Sequence, residues 1–359
     1  MGRHWPGVAD GRWATPSRSG TLAVTVTKEQ RLMAASIRRI LAAGTLLALG
    51  AGPLAFQTRS DGPDPTSRAY TTSRFLTLHG VRTHVQVWEP ADAEASATII
   101  ALHHFYGSAQ TYDAVGRELA DRGVRLVAFD RLGFGLSDRP DPQGRWTGPD
   151  APYTRAFAGQ QVLDLLDELG VDRAVVTGTS MGGTATLELA LTAPERLAAI
   201  VPVASPLTAD ASLPPLLRPL LRTRWVSGVG ALIVRRQSQG IGADRVGGAW
   251  LDPSRVTPAD IEAHTNFLGL EGYDAGLWWK INSDVPPRLR DAMGPIRDAG
   301  VPVVAVVGDS DPLISVDVMR HVAEQTGGGL RVVHCGHIVH QECPLAFAEL
   351  LAEVAAAHG

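Results

Sequence analysis

The spacing of apolar and polar residues changes along the chain, and a regular pattern begins near residue 74. Residues 74–90 contain two short runs in which apolar and polar residues alternate, separated by a His-Gly pair. A period of two places Thr83, Val85 and Val87 on one face of a strand. The pattern predicts an antiparallel hairpin at the start of the folded part.

Six continuous apolar runs follow the hairpin along the chain. Such runs are typical of parallel strands that helices cover on both faces. Segments with helical spacing lie at 109–123, 158–170 and 181–193. Repeated βα units imply a doubly wound, mostly parallel sheet. The six apolar runs cover residues 97–104, 124–130, 173–179, 198–204, 301–309 and 330–334.

The alternation of strands and helices stops between Pro206 and about Arg297. This stretch has helix-like pieces and no clear pair of strands, which predicts a mostly helical insert over the carboxyl edge of the sheet. Its tryptophans are Trp225, Trp250, Trp278 and Trp279. The predicted organisation is a leader at 1–73, a first part of the core at 74–205, a helical cap insertion at 206–296 and a second part of the core at 297–359.

Composition excludes one class of partner and leaves the cysteines open. The 359 residues are 45% hydrophobic and carry a net charge of −4, with lysines and arginines scattered along the chain. A nucleic-acid partner is therefore not expected. Cys335 and Cys343 match no zinc-ligand spacing, and they are either free thiols or one bridge.

A second apolar segment lies upstream of the folded part. Within residues 33–56, Arg38 and Arg39 precede an uncharged run from Ile40 to Phe56. The run is shorter than the ~20 residues of a comfortable membrane span, so the shape is that of a signal peptide or a marginal anchor. We expect an exported or membrane-anchored protein that contacts membrane through this segment. A buried or loose helix in a cytoplasmic protein is the alternative.

A glycine-rich corner at Ser180 is the first candidate for chemistry. A β-branched run ends just before Ser180, Gly178 precedes it, and Gly182 and Gly183 open a helical stretch. A tight strand-to-helix turn aims the serine oxygen over the sheet edge, where the helix amino terminus favours negative charge. We expect Ser180 to be a nucleophile. The alternative is a βα turn with a helix-capping serine.

A nucleophilic serine needs a base and an acid that orients the base. An apolar strand is followed by a loop with Asp309 and Asp311, and the next strand by a loop with His337 and His340. The chain order Ser, Asp, His is the order expected on this sheet topology. The pattern alone leaves two candidates for each role.

With these motifs the sequence resembles the α/β-hydrolase family with a serine nucleophile, from about residue 74 to the end apart from the insert. The family's "GxxDP" segment matches residues 308–312 and implies Asp311 as the acid. Its "GHxxHxExP" segment matches residues 336–344 and implies His337 as the base. The same resemblance gives a scaffold role to His340, Glu342 and Pro344.

An oxyanion hole needs two backbone N–H groups aimed at the transition-state oxygen. Met181, directly after the nucleophile, is expected to supply one. The resemblance to the family's "HGxxG" loop implies Phe105, within residues 103–107, as the other. His104 stands where the family commonly has glycine, which predicts a different path for this loop. His103 and His104 do not suggest a metal pair, since adjacent strand residues face opposite ways and no carboxylate spacing supports a site.

The resemblance implies a serine hydrolase that acts on an ester-like carbonyl of a small, apolar substrate, with no cofactor and no metal. A serine in place of a carboxylate nucleophile argues against the haloalkane-dehalogenase and epoxide-hydrolase branches. Hydrolysis of carbon–carbon bonds, cofactor-free perhydrolysis and non-catalytic ligand binding remain alternatives. Tyr106 and Trp278 are candidate pocket residues, with a core position as the alternative for the tryptophan.

Overall fold

The computed structural model describes residues 62–91, 94–142, 151–207, 218–238, 242–283 and 289–359. The predicted leader segment at 33–56 lies outside these ranges. Within the described ranges no helix combines the length and the apolar character needed to cross a bilayer.

Eight strands form one sheet, in the order β1-β2-β4-β3-β5-β6-β7-β8. β1 pairs with β2 and β2 pairs with β4 in antiparallel fashion, and the remaining pairs are parallel. The predicted α/β fold with a mostly parallel sheet is therefore confirmed. The strands are β1 (Ser73–Leu78), β2 (Val81–Trp88), β3 (Thr98–Leu102), β4 (Arg125–Phe129), β5 (Ala174–Thr179), β6 (Leu197–Val203), β7 (Val304–Gly308) and β8 (Gly329–Val333).

The opening hairpin forms where the alternating pattern predicted it. Leu78 pairs with Val81, and the two turn residues between them have positive φ, His79 at 48° and Gly80 at 74°. Two-residue turns with positive φ match the right-handed twist of paired strands. Thr83 on the adjoining strand is fully buried.

Helices cover both faces of the sheet and bury the apolar runs. Every residue of β5 and β6 is buried. One apolar cluster lies between the sheet and the helices Arg155–Glu168, Met181–Thr192, Gly294–Asp298 and Val316–Thr326. Another lies between the sheet and the helices Asp113–Asp121 and Pro344–His358. The helices of the core are α1 (Asp113–Asp121), α2 (Arg155–Glu168), α3 (Met181–Thr192), α10 (Val316–Thr326), α11 (Val339–Glu342) and α12 (Pro344–His358).

The described chain between β6 and β7 is helical. A third apolar cluster joins these helices to Phe134 and Phe157 of the core. The chain between the two strands also contacts the loops that follow β3 and β8, at the carboxyl edge of the sheet. Its helices are α4 (Arg218–Leu221), α5 (Arg224–Ser238), α6 (Ala243–Gly247), α7 (Pro258–Thr265), α8 (Tyr273–Ser283) and α9 (Gly294–Asp298).

Candidate active site

Ser180 occupies a strained turn between β5 and α3. Its backbone has φ 55° and ψ −119°, a region that residues with a side chain rarely adopt. Its N–H donates to the carbonyl of Val203 at 2.8 Å, and α3 begins at the next residue, Met181. The serine side chain makes no capping hydrogen bond to the helix. The turn therefore holds a serine at the carboxyl edge of the sheet, at the amino terminus of a helix.

The three glycines around Ser180 are required by close contacts. A Cβ on Gly178 would lie 2.4 Å from the carbonyl carbon of Gly182. A Cβ on Gly182 would lie 2.2 Å from the carbonyl oxygen of Leu102, and one on Gly183 would lie 2.6 Å from the carbonyl oxygen of Gly178. Because the partners are backbone atoms, no side-chain movement relieves these clashes. The glycines thus bring the start of α3 against the carboxyl end of β3.

His337 and Asp311 meet at the same edge of the sheet. His337 Nδ1 lies 2.8 Å from Asp311 Oδ2, and the two side chains are 5% and 0% exposed. The other carboxylate oxygen of Asp311 accepts hydrogen bonds from the N–H groups of Leu313 and Ile314, at 2.7 and 2.9 Å. The carboxylate is held from both sides, and it orients the imidazole so that Nε2 is left for chemistry.

The neighbouring aspartate and histidine make other contacts. Asp309 accepts a hydrogen bond from His334, whose side chain is 80% exposed, at 2.8 Å. That hydrogen bond is the largest cause of a lowered pKa of Asp309. Asp309 thus binds a surface histidine, while Asp311 binds His337.

His340 connects the turn at Ser180 to the loop that carries His337. Its Nε2 lies 3.2 Å from the hydroxyl of Thr111, which itself donates to the carbonyl of Ser108. That hydroxyl can only accept from His340, so His340 Nε2 carries the proton. Nδ1 then accepts from the hydroxyl of Thr179, the residue before Ser180, at 3.0 Å. Burial lowers the pKa of His340, which is neutral in this position.

The His337 loop is also anchored to the chain between β6 and β7. The N–H of His337 donates to the carbonyl of Ala249 at 2.7 Å. The buried carboxylate of Glu342 accepts from the N–H groups of Gly336, Leu251 and Asp252, at 2.7, 3.1 and 2.9 Å. A carboxylate that accepts several N–H groups is held firmly. Glu342 therefore joins the histidine loop to residues 251–252.

A disulfide bond joins Cys335 and Cys343, which lie eight residues apart with their Cα atoms 6.5 Å apart. The sequence left this pair open as thiols or a bridge. The bridge closes the short segment that contains both His337 and Glu342.

The loop after β3 fixes the direction of the Phe105 N–H. The carbonyl of His104 belongs to the same peptide group, and it accepts hydrogen bonds from His103 Nδ1 at 2.7 Å and from the N–H of Gly107 at 3.1 Å. The two ends of a trans peptide point in opposite directions, so the Phe105 N–H points away from these two donors. The first N–H groups of a helix have no partner within it, which leaves the N–H of Met181 available beside this loop.

His104 stands where the family commonly has glycine, and its backbone does not take a positive φ. The positive φ falls instead on Tyr106, at 62°. The His104 side chain is 5% exposed, and its Nε2 lies 2.9 Å from Nε2 of His264 in α7. Sequence reasoning did not identify His264, because a single histidine within a short helix carries no pattern.

The other candidate pocket residues lie in apolar surroundings. The Tyr106 ring packs edge-on against Phe105, with centroids 4.5 Å apart, and Phe105 contacts Phe134 in the same way. Trp278 is 4% exposed and packs against Gly230, where a Cβ would lie 2.2 Å from the indole. Trp278 thus lies in the core between α5 and α8, the alternative position that the sequence allowed.

A second Ser-His-Asp chain of hydrogen bonds lies elsewhere in the sheet, and sequence reasoning did not identify it. Ser73 Oγ lies 2.6 Å from His84 Nε2, and His84 Nδ1 lies 2.6 Å from Asp130 Oδ2. Ser73 is on β1, four strand spacings from β5, or roughly 19 Å. Asp130 also accepts from the N–H groups of Ala109 and Leu136, both at 2.6 Å. Burial opposes ionisation of Asp130, but the interactions with His84, with His103 and with the N–H of Ala109 together lower its pKa to about 2. This carboxylate ties the hairpin to the loops after β3 and β4.

The histidine pair of the β3 loop does not converge on one point. His103 Nδ1 donates to the His104 carbonyl, and its Nε2 accepts from the N–H of Arg131 at 3.0 Å. Burial lowers the pKa of His103 to about 3. Over the part of the chain that the structure describes, no group of three or more His, Cys, Asp or Glu side chains has the arrangement of a metal site.

Comparison with known proteins bears on the fold. The family model described as alpha/beta hydrolase fold matches residues 97–228. Epoxide hydrolase A of Mycobacterium tuberculosis (strain ATCC 25618 / H37Rv) is 24% identical over 76% of this chain and 94% of its own length. A serine hydrolase-like protein of Dictyostelium discoideum is 29% identical over 33% of this chain and 31% of its own length. A thermophilic esterase from Thermogutta terrifontis superposes with a TM-score of 0.60 at 19% identity, over 80% of this chain and 99% of its own.

The sheet order, the strand-to-helix turn and the structural match define an α/β-hydrolase fold. Within this fold, residues 97–228 are similar to the α/β-hydrolase family.

Proposed function

We propose that this chain is a serine hydrolase that cleaves an ester-like carbonyl of a small, apolar substrate. The observation that carries the proposal is the backbone of Ser180, a residue with a side chain at φ 55° between a buried strand and a helix. Such strain persists where the surrounding structure imposes it, and it is characteristic of a nucleophile that must be exposed at a turn. The hydrogen-bonded His337 and Asp311 at the same edge supply a base and its orienting acid.

The proposed reaction follows from these groups. The Ser180 hydroxyl attacks the carbonyl carbon while His337 Nε2 takes its proton, and Asp311 stabilises the imidazolium. The oxyanion accepts hydrogen bonds from the N–H groups of Phe105 and Met181. His337 returns the proton to the departing alcohol, and water then hydrolyses the acyl-serine by the same steps. Neither proton transfer needs a cofactor.

The identity of the nucleophile favours an ester over an epoxide. Opening of an epoxide by a serine would leave an alkyl ether, which has no carbonyl for water to attack. An acyl-serine keeps its carbonyl and is hydrolysed. The similarity to Epoxide hydrolase A is therefore no argument for epoxide hydrolysis by a chain with Ser180 at the turn.

The test combines a fluorophosphonate label with turnover of p-nitrophenyl esters of increasing acyl length. We expect wild-type protein to be labelled at Ser180, and Ser180→Ala to lose the label together with about 10⁴-fold or more of kcat. Ser73→Ala is the matched control, because Ser73 also contacts a histidine that contacts an aspartate. It should keep both label and turnover.

Labelling that followed Ser73 and not Ser180 would overturn the assignment of the nucleophile. Folded wild-type protein with neither label nor turnover would overturn the hydrolase proposal. The acyl-length series also defines the preferred substrate, since the apolar surroundings of Phe105 and Tyr106 favour an apolar acyl group.

We also propose that the protein is exported or anchored to a membrane. The apolar segment at 33–56 supports this, and the disulfide between Cys335 and Cys343 is typical of an oxidising compartment. Sequencing of the amino terminus of protein made by its native host tests the proposal. A chain recovered from the cytosol with the segment intact would contradict it.

A further inference from the structure

The loop that carries the Phe105 N–H is bound to helix α7, which lies outside the α/β core in sequence and between β6 and β7. His104 Nε2 lies 2.9 Å from His264 Nε2, and Ser108 Oγ donates to the carbonyl of Ala263 at 2.6 Å. His104, His264 and Ser108 are all buried. Two consecutive residues of α7 thus contact the two ends of this loop.

The contacts determine which ring nitrogen carries each proton. His264 Nδ1 lies 2.7 Å from the carbonyl oxygen of Asp260, which can only accept, so His264 Nδ1 carries a proton. Burial lowers the pKa of His264 and of His104, so both rings are neutral. His264 Nε2 therefore accepts, and His104 Nε2–H donates to it.

His264 is the hydrogen-bond partner that holds the His104 ring. The other ring nitrogen, His104 Nδ1, is buried and meets no hydrogen-bond partner among the described residues. It lies against Gly107, where a Cβ would approach it to 2.9 Å. Loss of the contact to His264 would leave the second ring nitrogen of His104 buried and unsatisfied as well, which drives the ring to another position.

One peptide group connects His104 to the proposed oxyanion hole. The carbonyl of His104 is held from the core by His103 Nδ1 and the N–H of Gly107, while its side chain is held by α7. The N–H of Phe105 belongs to the same planar peptide group. If the displaced ring shifts the backbone of His104, the peptide plane tilts against its two anchors and redirects the N–H that faces the developing oxyanion.

We propose that His264 is a positioning residue for catalysis: through His104 it fixes the direction of the Phe105 N–H and so couples the docking of α7 to transition-state stabilisation. This inference rests on the proposed hydrolase function of Ser180. It assigns no contact between His264 and substrate.

The experiment compares three substitutions at this position. His264→Leu removes the acceptor. His264→Asn keeps an amide near the Asp260 carbonyl but does not reach His104. His264→Gln places an amide oxygen near the position of Nε2, where it can accept from His104. Glu262→Gln, an exposed change on the same helix, is the matched control.

Each variant is assayed with a p-nitrophenyl ester and with the thionoester of the same acyl group, and active protein is counted by the end point of fluorophosphonate labelling. Removal of one oxyanion donor costs about 10²–10³ in kcat, and a misdirected donor should lose part of this. We expect His264→Leu and His264→Asn to lower kcat about 10- to 100-fold, with KM changed less than about threefold. The ester-to-thionoester rate ratio should fall about tenfold, because a thiocarbonyl gains less from oxyanion hydrogen bonds.

His264→Gln and Glu262→Gln should stay within about threefold of wild type in kcat and in that ratio. An unchanged ratio in both His264→Leu and His264→Asn would overturn the inference, since a purely structural defect lowers the count of active protein and not the ratio. The inference would also be overturned if His264→Gln and His264→Asn had the same kcat and the same rate ratio. If His264→Leu does not fold, the comparison of Asn with Gln still decides. Wild-type protein without label at Ser180 would instead overturn the proposed function, and this inference with it.

Discussion

Two aspartates that are two residues apart have different partners. Asp311 accepts from two backbone N–H groups and holds His337, whereas Asp309 lies at the surface with His334. The difference arises from the turn after β7, which directs one carboxylate inward and the other outward. The spacing in the sequence left both as candidates, and only the family pattern selected Asp311.

Substitution of these two aspartates gives a matched pair of predictions. Asp311→Asn keeps the volume but replaces an acceptor by an amide, which no longer holds the Nδ1–H tautomer of His337. We expect kcat to fall about 10³–10⁴-fold. Asp309→Asn should keep kcat within about twofold. Steady-state rates with a p-nitrophenyl ester check both, and a larger loss in the Asp309 variant would mean that the acid has been assigned to the wrong residue.

At the scale of elements, the start of α3 is packed against the backbone at the carboxyl end of β3. Gly182 allows this approach, because any side chain would meet the carbonyl oxygen of Leu102. The apolar runs and the glycine spacing predicted a sharp strand-to-helix turn. They did not specify the neighbour that makes each glycine necessary, because the two segments are remote in the sequence.

Two alanine substitutions distinguish the effect of this close contact on stability from the general effect of replacing a glycine in a helix. Gly182→Ala forces two backbone segments apart and should lower the free energy of unfolding by about 1–3 kcal/mol or more. Gly159→Ala in α2 is the control, since its new Cβ would lie 3.6 Å from Leu189, an ordinary contact. It should be neutral or stabilising by up to about 1 kcal/mol. Urea unfolding followed by circular dichroism measures both, and equal stability of the two variants would contradict the packing argument.

At the scale of the whole molecule, the fold contains several buried neutral histidines. Burial lowers the pKa of His103 to about 3 and also lowers the pKa of His104, His264 and His340. In the unfolded chain each of these side chains takes up a proton near pH 6.5. Between that pH and the folded-state pKa, the unfolded state binds more protons than the folded state, so stability is complete above about pH 6.5 and is lost as the pH falls below it.

The urea midpoint should therefore decrease clearly between pH 7.5 and pH 5.0 at constant ionic strength. Each such histidine contributes about 1.4 kcal/mol per pH unit in the window where only the unfolded chain is protonated. His264→Gln should make this dependence less steep. His358→Gln, which changes an exposed residue at the carboxyl terminus, should leave the dependence as it is. The same midpoint at both pH values would show that these histidines are not buried and neutral.

The sequence predicted each of the eight strands and the turn at Ser180, because both follow from local features: apolar period, β-branched content and glycine position. It did not predict the strand order within the sheet, the His104–His264 contact or the disulfide. His104 and His264 are 160 residues apart, and no local pattern marks either as the partner of the other. Such contacts depend on how the chain between β6 and β7 docks on the core, which one sequence does not specify.

The disulfide between Cys335 and Cys343 has a consequence for the construction of chimeras. His337 has two kinds of anchor: the noncovalent bonds to Ala249 and, through Glu342, to residues 251–252, and the covalent bridge around its own loop. Closing an eight-residue loop removes about 2.5 kcal/mol of freedom from the unfolded chain, whatever lies between β6 and β7. Exchange of α4 and α5 for the helices of a relative should therefore leave this covalent anchor of the His337 loop in place, provided that the graft ends before residue 249.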